Sequence, residues 1–502
     1  MKGKKNMKKT IRLLAMLMTL ALLLSMTALI TSCIGNGDGE ETTGAESTAG
    51  STLGDLEVRD MDGFEILMCW PETHTDGHYV HNELAPADGS GDVIDSAVAS
   101  RNAIVEDTYN VKIVVDTKFV SHIPRDYRVE AEAGDSSYHV IASTVKFMTP
   151  IALEGSLVDF NKMSAYDETQ EWWNHKLMQD FSIANARYFG SGDIIYSDDF
   201  YPYCTYVNTA VAASLDSIKD VDFYGMVKDK TWTLEAFHEF AAQVADPEAD
   251  GDPNTWSEDD MNGAVINANF ARAAYYAAGK GMIEFDKKGY PVWQMDVAHT
   301  DPIIEKVAKI VHDDGACFYA DLHPTNTAHA EVELDLFNKN KTLFLVEELI
   351  ISERITKRDD AKDFLLLPYP LYDEGSEYIS VLNDAAVVSI PVHADRQEDV
   401  ALILSAMGRE SVNTLTPAFF ETVLKYRYMT DPDSVETLQT ILDSTVPQDV
   451  ATISDWGGFM NKFKTMIQTN VTTGFSSYYS SNISTAMGKL EEYCVSLDNY
   501  YN

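Results

Sequence analysis

The sequence predicts an α/β protein built as two lobes. Three observations carry that expectation: two separate series of alternating strand-like and helix-like segments, a helix-rich end, and a length beyond what one hydrophobic core serves. In the first series, Phe64 to Cys69 is a short apolar run suited to a buried strand, and Trp70-Pro71 forces an exit. Ile94, Ala97, Val98, Ile104 and Val105 then recur at a helical period over Asp95 to Thr108. Val111 to Val115 and Tyr138 to Ala142 read as two further strands, with a helix over Asp126 to Ala133 between them. Strand, helix, strand, helix, strand at this spacing indicates parallel strands with crossover helices.

The second series opens at Thr233, a good N-cap for a helix over Leu234 to Val244, with Glu235 in the first turn where the helix dipole favours an acid. Over Asp301 to Val311, Pro302 sits at a first-turn position, and Ile303, Ile304, Val307, Ile310 and Val311 form one stripe. A helix over Ala328 to Phe337 runs into a strand over Thr342 to Val346, and Phe364 to Leu367 is a strand closed by Pro368. Helices follow at about Asp395 to Met407, Pro417 to Lys425, Ser434 to Leu442, Gly457 to Thr469 and Ser484 to Ser496, with no internal repeat.

Ahead of both series stands a basic start (Lys2, Lys4, Lys5, Lys8, Lys9, Arg12), an apolar run from Leu13 to Ile30, and then Thr31-Ser32-Cys33. This order is that of an export signal, and the cysteine after two small residues resembles the lipobox of bacterial lipoproteins. The resemblance implies cleavage before Cys33, a lipid on its thiol, and a place on the outer face of a membrane. An uncut anchor helix is the alternative, since the run reaches the lower length for spanning a bilayer. From Ile34 to about Asp55 the chain is rich in Gly, Glu, Thr, Ser and Ala, the composition of a disordered tether.

Thirty-eight basic residues face 79 acidic ones, a net charge of −41, and removal of the basic leader makes it more negative. Such a surface repels nucleic acid and anionic lipid, and it disfavours anionic sugars such as uronates unless Lys146 or a local Arg holds one. The four cysteines beyond Cys33 (Cys69, Cys204, Cys317, Cys494) have no CxxC spacing, and their pairing is open.

Several local strings carry a broader resemblance. Thr231-Trp232-Thr233-Leu234-Glu235-Ala236-Phe237 opens a helix, Asp250-Gly251-Asp252 precedes Glu258 and Asp260, and Tyr206-Val207-Asn208 reads as a strand. Asn338-Lys339-Asn340-Lys341 leads into Thr342-Leu343-Phe344-Leu345, with Asn340 where a Gly-Lys pair is usual, and Leu366-Leu367-Pro368-Tyr369-Pro370 forms a Pro-x-Pro turn. In this order they resemble the extracellular solute-binding proteins of bacterial ABC importers, in the family 1 branch of sugar and oligosaccharide binders.

The resemblance implies a periplasmic-binding-protein-like α/β fold, its lobes discontinuous in sequence and hinged about a ligand cleft. Residues 1–32 would be signal peptide, 33–55 the lipidated Cys33 and tether, 56–207 with 384–416 one lobe, and 208–383 with 417–502 the other. Crossings are expected near Cys204 to Thr209, Leu382 to Ile390 and Leu415 to Phe420. The implied partners are a carbohydrate and ABC permease subunits. A monomer is expected, with no cofactor and no catalysis.

Sugar recognition needs flat apolar faces and planar polar groups where strands end at a cleft. Reading off those ends selects Trp70 and Glu72, Ser143 and Thr144, Glu347, Asn383 and Asp384, and the loop residues Asp193, Tyr196 and Asp198. Trp456, at the opening of a late helix, is the expected stacking platform. Two rival sites compete. His74, His78 and His81 have spacing that suits a transition metal, in a segment that reads as a loop. Asp250 and Asp252 offer alternate oxygen ligands to Ca²⁺, with Pro253 where such a loop demands glycine. His238-Glu239-Phe240-Ala241-Ala242 lacks the second histidine of a zincin, and no GxSxG or Walker A string occurs. A glycosidase needs only two carboxylates at no fixed spacing, so that reading stays open.

Overall fold

In the computed structural model the described residues are 56–72, 82–87, 89, 91–246, 260–323, 329–356, 363–382, 385–425 and 432–501. Cys33, the tether, the histidine loop, the Asp250 turn, Asn383 and Asp384 lie outside them. The first series forms as expected, with strands extended at their carboxyl ends: β1 (Phe64–Pro71), α1 (Val93–Tyr109), β2 (Val111–Lys118), α2 (His122–Glu132), β3 (Val140–Thr144) and α3 (Val145–Leu153). Asp92 caps α1 by accepting from the Ile94 amide, and Asn110 stops it in a left-handed turn at φ 49°.

The chain continues through β4 (Tyr203–Asn208), α4 (Leu234–Val244), β5 (Asn262–Ile266), α5 (Asn269–Ala277) and α6 (Val297–His312). Pro302 is not in the first turn of α6. Asp296 caps that helix by accepting from the His299 amide, one turn earlier than expected, so Pro302 sits inside and one intrahelical hydrogen bond is forgone. Then follow β6 (Cys317–Tyr319), α7 (His329–Asn338), β7 (Thr342–Glu348), β8 (Phe364–Pro368) and β9 (Ala386–Ser389). Asn340 turns the chain between α7 and β7 at φ 58°, a conformation asparagine tolerates and which explains how it replaces glycine there. Later helices include α8 (Gln397–Ser411), α9 (Leu415–Lys425), α10 (Pro432–Asp443), α11 (Phe459–Gln468) and α12 (Phe475–Tyr501). Among the described residues no helix is long and apolar enough to cross a membrane.

Two sheets organise these elements. One has the order β9-β3-β1-β2 and the other β8-β4-β7-β5-β6. Within the first, β1, β2 and β3 are parallel and β9 is antiparallel to β3. Within the second, β5 is parallel to β6 and β7, while β4 runs antiparallel to both of its neighbours. The two antiparallel strands are the ones that arrive from the other sheet. β9 begins with Ala386 opposite Thr144, the last residue of β3, and β4 begins with Tyr203 opposite Glu348, the last residue of β7. Both sheets therefore turn the carboxyl ends of their parallel strands toward the passages between the lobes.

The passages are tied together. Pro202 bridges to Leu382, and Ser380–Leu382 pairs with Thr445–Pro447 in a short ribbon. α9 packs on α1 and also touches Ile351–Thr356, and α10 packs on β8. In the second lobe Trp232 is fully buried, donates its indole N–H to the Pro368 carbonyl at 3.0 Å, and meets Phe344 at 5.5 Å between ring centroids. Cys69, Cys204, Cys317 and Cys494 are free thiols.

Candidate functional site

Where β3 gives way to α3, Thr144 occupies the N-cap position without capping. The residue is 5 % exposed, and its hydroxyl oxygen has no hydrogen-bond partner. Lys146 follows in the first turn. On the opposite lobe, β5 gives way to α5, whose first turns carry Asn269 and Arg272. The two sheets thus present equivalent strand-to-helix junctions to one space. Leu382 and Ala385 of the second passage, Gln448 and Phe181 complete much of its wall, and it encloses about 160 Å³. Gln448 is held by donating to the Leu382 carbonyl at 3.1 Å.

Among the described residues, Lys146 and Arg272 are the charged ones of this lining. Behind them, Lys464 on α11 has its ammonium pushed below the usual lysine range, by burial first and then by the Arg272 guanidinium and, more weakly, Lys146; Asp455 and Asp321 pull the other way. Both of those carboxylates also accept backbone N–H groups, Asp455 from Met460 and Asp321 from Ala268.

Of the residues selected from sequence, Thr144 lines this space, and the described neighbours of Asn383 and Asp384 line it too. Ser143 is fully buried and donates to the Val120 carbonyl at 2.8 Å. Trp70 is 1 % exposed, because β1 lies between two strands and its carboxyl half is buried. Glu72 is exposed, just beyond β1. Trp456 is 7 % exposed and packs beside Tyr493 of α12 at 5.9 Å, so the ring faces a helix.

Asp193, Tyr196 and Asp198 belong to a segment docked on α1. The buried Arg101 of α1 donates to the Ile194 and Glu83 carbonyls at 2.8 and 2.9 Å, and the Glu83 carboxylate accepts the Tyr196 amide at 2.6 Å. Tyr196 stacks on Phe419 at 5.9 Å. Asp198 accepts from Asn174 at 2.8 Å. Burial pushes the Asp193 carboxyl up to about 6, against a hydrogen bond from the Thr416 hydroxyl.

Glu347 lies within β7, not beyond it, and accepts from Asn267 at 2.9 Å. The same amide donates to Glu333 at 3.1 Å, while the Tyr203 hydroxyl donates to the Asn267 oxygen at 2.7 Å. Burial, and then the Glu347 charge, raise the Glu333 carboxyl well above the usual range. This is an internal network beside the junction, in which one Glu333 oxygen has no partner among the described residues, and it is not part of the lining.

Arg272 and Asn269 were not selected from sequence, although the signal was there. Gly263-Ala264-Val265-Ile266 is a short apolar run, and the rule that selected Thr144 applies equally to the junction after it.

No family model matches the sequence, and no curated protein matches it either. Solved structures do share its fold. The cyclic α-maltosyl-1,6-maltose-binding protein of Arthrobacter globiformis superposes with a TM-score of 0.58 at 12 % identity, over 86 % of this chain and 100 % of that one. An ABC substrate-binding protein from Listeria monocytogenes, solved with cycloalternan, gives 0.55 at 14 % identity, over 86 % and 100 %. The maltose/maltodextrin-binding domain MalE from Bdellovibrio bacteriovorus, solved with maltotriose, gives 0.54 at 10 % identity, over 85 % and 100 %. The chain therefore has the periplasmic-binding-protein-like α/β fold, with two lobes about a cleft.

Proposed function

We propose that this protein is an extracytoplasmic receptor that captures a carbohydrate between its lobes and hands it to an ABC permease. It is tethered to the membrane through a lipid on Cys33. The observation that carries the reading is the common cleft toward which both sheets turn their strand ends, in a fold shared with proteins solved with oligosaccharides. We place residues 56–202 with 385–425 in one lobe and 203–382 with 432–501 in the other. Thr144, Asn269, Arg272 and Gln448 are the proposed contacts, with Asn383 and Asp384 between two lining residues.

Specificity would come from polar groups that penalise a ligand lacking the matching hydroxyl. Binding acts on the native state by mass action, so a cognate ligand raises the melting temperature. A thermal-shift panel of saccharides, amino acids, peptides and metals is expected to respond to saccharides alone; a response confined to metals or peptides overturns the reading. Cys33→Ser is expected to leave the protein unattached to membranes, seen by fractionation.

A further inference from the structure

We propose that the ligand is an acidic carbohydrate, whose carboxylate or phosphate is seated between the amino end of α3, Thr144, Lys146 and Arg272. This rests on the reading of the cleft as a sugar site. Acidic residues outnumber basic ones about two to one in this chain, yet among the described residues the charged ones that line the cleft are both cations. Lys146 forms no ion pair among the described residues, and its ammonium lies 5.5 Å from the Phe147 ring.

A nine-residue helix starts at this place, and the amides of its first turn lack intrahelical acceptors while its dipole favours an anion. The second observation is independent of the helix: Thr144 is nine-tenths buried, lines the cleft, and has a hydroxyl with no acceptor or donor opposite it. In a built polar site such a group points to a partner that arrives from outside. Behind the lining stands a third cation, Lys464, held below its usual range by burial first and then by Arg272 and Lys146, with Asp455 and Asp321 pulling the other way.

The overall negative charge argued from sequence against an anionic sugar. That argument concerns long range. At physiological salt the screening length is about 8 Å, so distant surface carboxylates count for little beside cations that line the cleft.

The test is calorimetric titration of the purified protein with matched pairs: oligosaccharides of glucuronate or galacturonate, sugar phosphates, and the neutral counterpart of each. Acidic members are expected to bind and their counterparts to bind at least about tenfold more weakly, the scale of a charge-assisted hydrogen bond. The uronate and phosphate arms tell the two anions apart. Lys146→Ala, at an exposed position, is expected to weaken the acidic ligand about tenfold without altering the unliganded melting temperature. Thr144→Val is expected to weaken it too while leaving the free protein as stable or more so, which a purely structural threonine would not do. If neutral members bind as tightly as acidic ones, the inference fails and the sugar reading stands. If no acidic saccharide binds, the inference likewise fails; binding of peptides or metals alone overturns both.

Discussion

At the scale of single residues, Asp193 and Asp198, which sequence assigned to the ligand, are acids whose carboxyls are raised by burial, and stability is expected to follow them with pH. Asp193 has its carboxyl raised to about 6, chiefly by burial, with the Asp198 charge adding to it. Asp198 is raised as well, by burial acting against the hydrogen bond from Asn174. A carboxyl raised on folding binds more protons in the native state than in the unfolded one between its ordinary value and its native value. Stability therefore falls as pH rises from about 4 to about 6, and the loss persists above that window. Asp193→Asn removes the charge and keeps an acceptor for Thr416. The variant is expected to be more stable than the wild type by on the order of 1–2 kcal/mol at pH 7.5, allowing for solvent screening of a partly exposed group, and equal to it at pH 4. Urea midpoints at the two pH values check this, and an equal gain at both would contradict it. Thr144 was legible because it ends a strand of obvious apolar character. The docking of Asp193 to Asp198 was not, because it depends on Arg101, a buried cation 93 positions from the carbonyl of Ile194 that it holds.

Between elements, the critical approach is that of α4 to β5. A Cβ on Gly263 would stand 2.1 Å from the Ala241 carbonyl oxygen and 2.4 Å from its carbon, and backbone atoms of a helix cannot swing aside as a side chain does. Gly263→Ala is expected to destabilise the protein by about 3 kcal/mol, the upper end of ordinary overpacking, and to weaken any cleft ligand by displacing the junction that carries Asn269 and Arg272. Chemical denaturation measures the first effect and titration the second. Gly263 opens the short apolar run Ala264-Val265-Ile266 that marks β5. Other elements followed their local chemistry. Thr233 caps α4 through the Ala236 amide at 3.2 Å, and α1 and β2 form where the apolar period places them. α12 was read at about half its length, since Phe475 to Ile483 is rich in serine and carries no clear stripe, and its helical state comes from packing on α6, α11 and α3. Glu347, selected as the residue beyond a strand, is paired within it, because Tyr203 and Cys204 arrive from the other lobe to extend the ladder. Nothing local to the sequence around Glu347 announces that partner.

On the scale of the whole molecule, the lobes meet across the cleft. α3 of the first lobe touches Val450–Ile453 and α12, which pack with the second. The space left between the junctions, about 160 Å³, lies below the ~300–1,000 Å³ of ordinary ligand clefts. An oligosaccharide can enter only if the lobes part, and the connections allow it: the described passages are short, and the ribbon of Ser380–Leu382 with Thr445–Pro447 is a few residues long, so modest backbone rotations there move two packed bodies without disturbing either sheet. A ligand that touches both junctions favours the closed arrangement by its extra contacts in that state, and by no more than those contacts supply. The free protein in solution is therefore expected to sample a more open form, and the saccharide identified by melting shift to reduce the radius of gyration measured by small-angle scattering. Arg272→Ala removes a contact of the second lobe, so it is expected to diminish that contraction at matched ligand occupancy. A scattering profile that is the same with and without the saccharide, at saturating concentration, would mean that the lobes do not move and that the ligand binds elsewhere.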